Sequence, residues 1–162
     1  MTTYLNNNVY AVKKNGESSL SNANKWIKSI LDNLDENVDK ETRIEVLEEC
    51  GRNCCRSSGF YKKAQKSMSK AKDRNEFLDS LRKVWSNLKK EGEDVYVVYE
   101  KCYCPLGRAL SKDYPMQLSS FCNCSRGWIR EMFESALKRP VKVELEKSII
   151  RRDDFCRFKV TL

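Results

Sequence analysis

The stretch from Val141 to the end leaves this chain little choice of fold. Val141-Lys-Val-Glu-Leu-Glu-Lys-Ser-Ile149 and Phe155-Cys-Arg-Phe-Lys-Val-Thr-Leu162 both alternate apolar and polar side chains, and Arg151-Arg-Asp-Asp154 separates them. Successive side chains of a strand point to opposite faces, so each run carries one apolar face, and together they predict an antiparallel hairpin. Val141, Val143, Leu145 and Ile149 share the inward side, as do Cys156, Phe158, Val160 and Leu162.

The first half supplies helices to cover that face. Residues 1–22 are polar, rich in Asn and Ser, and read as an arm. Asn24 can cap a helix in which Trp26, Ile27, Ile30, Leu31 and Leu34 recur at helical spacing. Asp39 or Lys40 opens a second, carrying Ile44, Val46, Leu47 and Cys50 and ending near Gly51, before Asn53-Cys54-Cys55. A basic helix starts at Phe60. Asp73 or Asn75 caps another with Phe77, Leu78, Leu81, Val84, Trp85 and Leu88 on one side, ended by Glu91-Gly92.

The character then changes. Val95-Tyr-Val-Val-Tyr-Glu-Lys-Cys-Tyr-Cys104 is dense in β-branched and aromatic residues and predicts a strand stopped by Pro105, with Tyr96, Val98, Glu100, Cys102 and Cys104 on one face. Residues 105–119 are a connection long enough to serve as a lid. A helix beginning within residues 119–125 carries Trp128, Ile129, Met132, Phe133, Ala136 and Leu137 and ends before Pro140. The 162 residues fit one domain. The expectation is a single α+β domain over 23–162, with a helical half (23–92) and a strand-helix-hairpin half (93–162) that joins helices to an antiparallel sheet.

Charge narrows the partners. Residues 56–90 hold 11 basic and 3 acidic side chains, which alone accounts for the net charge of +8. No aromatic residue interleaves with Lys62, Lys63, Lys66 and Lys70, so the run reads as a solvated helix face and nucleic acid is disfavoured as a partner. No segment approaches the roughly 18 apolar residues that a membrane span needs, and the start shows no signal peptide, so the expected location is cytoplasmic, with no membrane partner.

In a reducing compartment the eight cysteines are metal ligands, reactive thiols or small core residues before they are disulfides. Cys102/Cys104 and Cys122/Cys124 offer two short-spaced pairs, and Cys156 a fifth ligand, for zinc or, as the second choice, an iron–sulfur cluster. Cys-x-Cys is a weaker pattern than Cys-x-x-Cys, because i and i+2 lie about 6.5–7 Å apart on a regular strand. The chain has no histidine, so a carboxylate such as Glu100 or Glu146 would complete any mixed shell. Alternatively, Cys50 and Cys156 above all are packed thiols. In the third reading Cys122 or Cys124, at a helix N-terminus beside Arg126, or the Cys54-Cys55 pair, are reactive thiols. Histidine-assisted catalysis is excluded, and there is no phosphate-binding glycine loop and no zinc-protease signature.

Phe121-Cys-Asn-Cys-Ser-Arg-Gly-Trp128, Val141-Lys-Val-Glu-Leu-Glu-Lys-Ser and Asp153-Asp-Phe-Cys156-Arg-Phe158 resemble the ending of the 4-vinyl-reductase-like small-molecule-binding domains and of the related L-2-amino-thiazoline-4-carboxylic acid hydrolase-like proteins. The resemblance covers roughly residues 95–162. It implies an antiparallel sheet against helices, a ligand pocket between them, and in some members a zinc held by cysteines and a glutamate. Cys156 matches the terminal cysteine ligand; Ser148 stands where zinc-binding members place another cysteine. The candidate pocket residues are Tyr99, Tyr103, Phe121, Trp128 and Glu146. The expectation is thus a small-molecule-binding module with a cysteine-rich, metal-binding site. The hydrolase and a thiol redox sensor stand as alternatives, enzymatic action is not demanded, and a homodimer is compatible with the sequence.

Overall fold

A computed structural model describes residues 16–104, 107–108 and 120–162. Helix α1 runs Gly16–Asn37, α2 Lys40–Arg56, α3 Gly59–Lys70 and α4 Arg74–Val84. Strands β1 (Leu88–Glu91) and β2 (Asp94–Tyr99) follow, then α5 (Asn123–Leu137), β3 (Lys142–Lys147), one 3-10 turn (Ile149–Arg151) and β4 (Cys156–Thr161). The strands form one antiparallel sheet in the order β1-β2-β4-β3. The architecture is the α+β arrangement expected, with the C-terminal hairpin in the sheet.

Three helices start on side-chain caps. Asp39 accepts from the Thr42 amide at 2.9 Å, Ser58 from Tyr61 at 3.3 Å and Asp73 from Glu76 at 2.9 Å, each satisfying a donor that the first turn leaves unpaired. The hairpin register brings Val143 opposite Val160 and Leu145 opposite Phe158, and β2 adds Val95 and Val97 to the same face. Phe77, Leu78 and Leu81 of α4 and Ile129, Met132 and Phe133 of α5 close over that face with Trp85 to make the main core. A smaller core of Leu31, Leu47, Phe121, Cys122 and Ile150 lies beside it.

Four features depart from the expectations. Helix α1 already runs at Gly16, inside the stretch read as arm; residues 1–15 are outside the described residues. Its apolar stripe is split: Leu31 is buried and Ile27 packs on the small core, whereas Trp26 is 68% exposed. Helix α2 does not end at Gly51 but continues to Arg56, because Gly51 is a packing contact and not a stop. Finally, α4 ends at Val84, and Leu88 belongs to a strand. Asn87 replaces the helical pattern there: its carbonyl accepts from the Val98 amide at 2.9 Å while its side chain donates to the Val98 carbonyl at 2.8 Å, which clamps β1 on β2. Gly92, at φ 64°, then turns the chain in the left-handed region where a side chain would be strained.

Strand β2 also stops at Tyr99, so Cys102 and Cys104 are not on its face as read from alternation. Beyond Gly107 and Arg108, the connection read as a lid lies outside the described residues.

Candidate functional site

The site region is set by the crossing of α2 and α5. A Cβ placed on Gly51 would stand 1.8 Å from the Cys124 carbonyl oxygen, and one on Gly127 2.0 Å from the Glu48 carbonyl oxygen. The helices therefore touch backbone to backbone, and long side chains are displaced to the two flanks. Glu48 there pairs with Arg126 and with Arg130 (2.7 Å). Glu131 accepts from Arg52 at 2.9 Å and from Arg56 at 3.0 and 3.1 Å, and Arg52 reaches Glu134 at 2.7 Å. Burial by itself would raise the Glu131 carboxyl, but Arg56 and Arg52 outweigh it and hold the group below its ordinary range.

This crossing decides where the cysteines go. Cys122 is buried at the N-cap of α5, with its sulfur 3.0 Å from the hydroxyl of fully buried Ser148. Cys156 is buried and accepts from the Ile149 amide at 3.4 Å. Both Cys156 and Cys102 lie within electrostatic reach of Cys122. Cys124, two residues on, feels the charges of Cys104, Cys54 and Cys50 as well as that of Cys122. Cys104, for its part, packs on the same small core as Cys122. On a helix i and i+2 are about 200° apart, so Cys122 and Cys124 cannot face one ion. The two-plus-two shell read from the sequence is not assembled, and among the described residues no three Cys, Asp or Glu side chains stand close enough together to hold a metal as placed.

Thiol activation fails in the same place. Burial pushes the Cys122 thiol up to about 11 and Cys124 to about 12, opposite to the lowering expected at a helix N-terminus. Arg126, expected to add positive charge there, turns to Glu48. Cys55, fully buried, is likewise raised to about 12 by burial first and by Glu131 second. Cys50 and Cys54 are exposed.

The five candidate pocket residues do not converge. Tyr99 and Tyr103 meet at a tilt with ring centroids 5.6 Å apart, and burial raises the Tyr99 phenol. Trp128 packs with Phe60 and Trp85 at 6.2 and 5.7 Å. Phe121 fills the small core, and Glu146 pairs with Arg157 at 3.0 Å on the outer face of the sheet. The space between helices and sheet is filled by the main core.

What the sequence reading missed is a cleft of about 360 Å³ at one end of that layer, where α2, the start of α5 and edge strand β3 meet. Lys40, Arg43 and Ile44 line it from α2, Ser120, Asn123 and Arg126 from the α5 end, and Glu144, Leu145 and Arg151 from the hairpin. Asp35 braces it, accepting from the Ser120 hydroxyl at 2.6 Å and from Arg43 through its backbone carbonyl at 2.8 Å. Buried Asn123 donates to the Ser120 carbonyl at 2.7 Å. Four cations against one carboxylate in the lining, beside the positive end of α5, favour a negatively charged group. No spacing in the sequence marks these residues, which come from four separate segments.

Fold and site together define a cysteine-rich α+β protein with a basic cleft. Over residues 4–162 the chain matches, and belongs to, a family of unknown function (DUF6144). Among curated proteins none matches it. Among the described residues no helix is long and apolar enough to cross a membrane, and Lys62, Lys63, Lys66 and Lys70 of α3 are exposed.

Proposed function

We propose that the protein is a small-molecule-binding module whose ligand carries a carboxylate or phosphate group held in the α2–α5–β3 cleft. The observation that carries the reading is the convergence there of Arg43, Arg126, Arg151 and Lys40 with Ser120 and Asn123. Guanidinium groups present paired N–H donors that match the two oxygens of a carboxylate or phosphate, and Lys40 adds a point charge. Asp35 and Glu48 hold Arg43 and Arg126 in place before a ligand arrives, so little side-chain freedom is lost on binding. Ile44 and Leu145 offer apolar contact for the rest of the ligand.

The test is a thermal-shift and calorimetric titration of the purified protein with inorganic phosphate and with small mono- and dicarboxylates. At a ligand concentration 100 times Kd the expected stabilisation is about 2.7 kcal/mol. Lys40 and Arg151 are exposed, so the Lys40→Glu/Arg151→Glu double variant keeps the fold and loses the shift. A shift unchanged in that variant, or none with any anion, overturns the reading.

A further inference from the structure

We propose that the groove between α5 and edge strand β3 takes an extended acidic peptide, which adds a strand to the sheet and sets its carboxylates on a basic wall. The inference rests on the anion reading of the cleft at one end of this groove and names what carries the anion.

The sheet order β1-β2-β4-β3 leaves β3 at an edge, paired with β4 alone among the described residues. In an antiparallel pair every second residue turns both its N–H and its C=O away from its partner, so β3 directs a row of backbone donors and acceptors outward. A ligand reaches that row only where the flank of the strand is open. A second cleft, of about 660 Å³, lies along this flank, with Arg126 and Arg130 of α5 on one side and the strand on the other. Arg126 and Glu144 also line the first cleft, so the two are continuous, and every residue from Pro140 to Leu145 borders one or the other. Lining by consecutive residues marks an exposed strand flank, because a cavity on one face of a sheet would take only every second residue.

Charge selects the strand that fits. Lys40, Arg43, Arg126, Arg130, Lys142 and Arg151 line the groove, with Glu144 the carboxylate in its wall. Asp35 pairs with Arg43, and buried Glu48 bonds both Arg126 and Arg130 and so offsets one charge of the two, which leaves the wall positive. Arg126 and Arg130 stand one turn apart, about 6 Å along the helix axis, and side chains i and i+2 of a strand are about 6.5–7 Å apart, so acidic residues at alternate positions match them. A small anion uses the guanidinium groups only. An extended peptide also uses the backbone row, where main-chain hydrogen bonds supply affinity and alternate side chains supply choice.

The same features disfavour a second copy of this chain. Lys142 and Lys147 stand at the two ends of β3, Lys89 and Lys90 lie on the other edge strand β1, and the β3–β4 register shifts between Leu145 and Lys147. Lysines and bulges keep edges from pairing with one another, and these repel a basic edge but not an acidic one.

The probe is an end-blocked hexapeptide of alternating Val and Glu, added to the full-length protein, with alternating Val and Lys as its charge control. At saturation the Val-Glu peptide is expected to slow hydrogen exchange at least about tenfold at alternate amides within 142–147, and the Val-Lys peptide to leave them unchanged. Inorganic phosphate should compete with the Val-Glu peptide. N-methylation separates strand addition from charge attraction: blocking the Glu amides removes every donor from one edge of the peptide, and blocking the Val amides every donor from the other, so one analogue loses binding and the other keeps it. Absence of protection by the Val-Glu peptide overturns the inference; the anion site itself stands if phosphate still raises the melting temperature, and falls as well if phosphate does not. Equal binding of both N-methylated analogues, equal binding of the Val-Lys peptide, or concentration-dependent dimers with β3 already protected would each overturn it too.

Discussion

Gly127 lies so close to Glu48 that a methyl group on it would stand 2.0 Å from the Glu48 carbonyl oxygen. The obstacle is backbone and cannot rotate aside. Gly51 faces Cys124 in the same way at 1.8 Å. Ordinary overpacking in a core costs about 1–3 kcal/mol, and here the helices themselves must separate. Gly127→Ala and Gly51→Ala are each expected to lower stability by at least about 3 kcal/mol, read as a shift of the urea midpoint. Gly59→Ala, where a Cβ meets nothing within 4 Å, is the control and should stay within about 0.5 kcal/mol. Equal effects at the three positions would refute the backbone-contact account.

Glu131 carries the acid sensitivity of this crossing. Its carboxyl is held below the ordinary value of 4.5, because Arg56 and Arg52 outweigh the effect of burial. A group with a depressed folded pKa contributes stability that is fully present above the unfolded value and is lost as pH falls through the folded one. Stability should therefore decline as pH drops below about 4.5, with Glu134, held low through the Val141 amide and Arg52 against burial, adding to the slope. Glu131→Gln should cost about 1–3 kcal/mol at neutral pH, since it weakens hydrogen bonds to charged partners, and should flatten the acid limb. Denaturant titrations of both proteins between pH 7 and pH 3 measure this; parallel curves would sink it.

The caps offer a smaller and more local check. Asp39→Ala and Asp73→Ala each remove the side-chain acceptor for a first-turn amide, Thr42 and Glu76 respectively. Each should reduce stability by about 1 kcal/mol. Asp39 is also held below its ordinary pKa by the Thr42 hydrogen bonds, so its variant should lose least at low pH, where the acid is already protonated in both states. An Asp39→Ala loss that is the same at pH 3 as at pH 7 would show that the cap acts through something other than its charge.

These results mark where sequence reading succeeds and where it stops. The hairpin was legible because period two over Val141–Leu145 and Cys156–Leu162 has one physical solution, and the caps at Asp39 and Asp73 because few side chains can satisfy a first-turn amide. Local spacing alone makes α4 too long, because Trp85 and Leu88 continue its apolar pattern. What ends it is the clamp from Asn87 to Val98, a contact eleven residues away that no local pattern contains. Gly51 looks like a stop because glycine ends helices often; here it is a docking surface whose partner, Cys124, is remote in the chain. The cysteine pairs misled for a related reason. Spacing alone does not tell whether Cys122-Asn-Cys124 lies on a strand or on the first turn of a helix, and only the first would let an i, i+2 pair share one side. The basic cleft left no signature at all, since Lys40, Ser120, Arg126 and Arg151 meet only through tertiary packing.

The thiols give the last prediction, because their order of reactivity follows from burial and differs from the order that helix-dipole reasoning would assign. In the metal-free, reduced protein Cys50 and Cys54 are exposed, Cys102, Cys104 and Cys124 partly covered, and Cys55, Cys122 and Cys156 buried. Only the thiolate attacks an electrophile, and burial also raises the thiols of Cys55, Cys122 and Cys124, to about 12, 11 and 12, so at neutral pH little of any of them is ionised. Cys122 has a further restraint in its 3.0 Å contact with Ser148. Native labelling with a thiol reagent at pH 7.5 should therefore modify Cys50 and Cys54 first, leave Cys55, Cys122 and Cys156 untouched until denaturant is added, and place Cys124 nearer the slow set than its partial exposure suggests. Site-resolved mass spectrometry over a time course reads all eight positions at once. Fast labelling of Cys122 or Cys124 would restore the activated thiol at the α5 N-terminus, because a rate faster than that of exposed Cys54 cannot come from accessibility and must come from a lowered pKa.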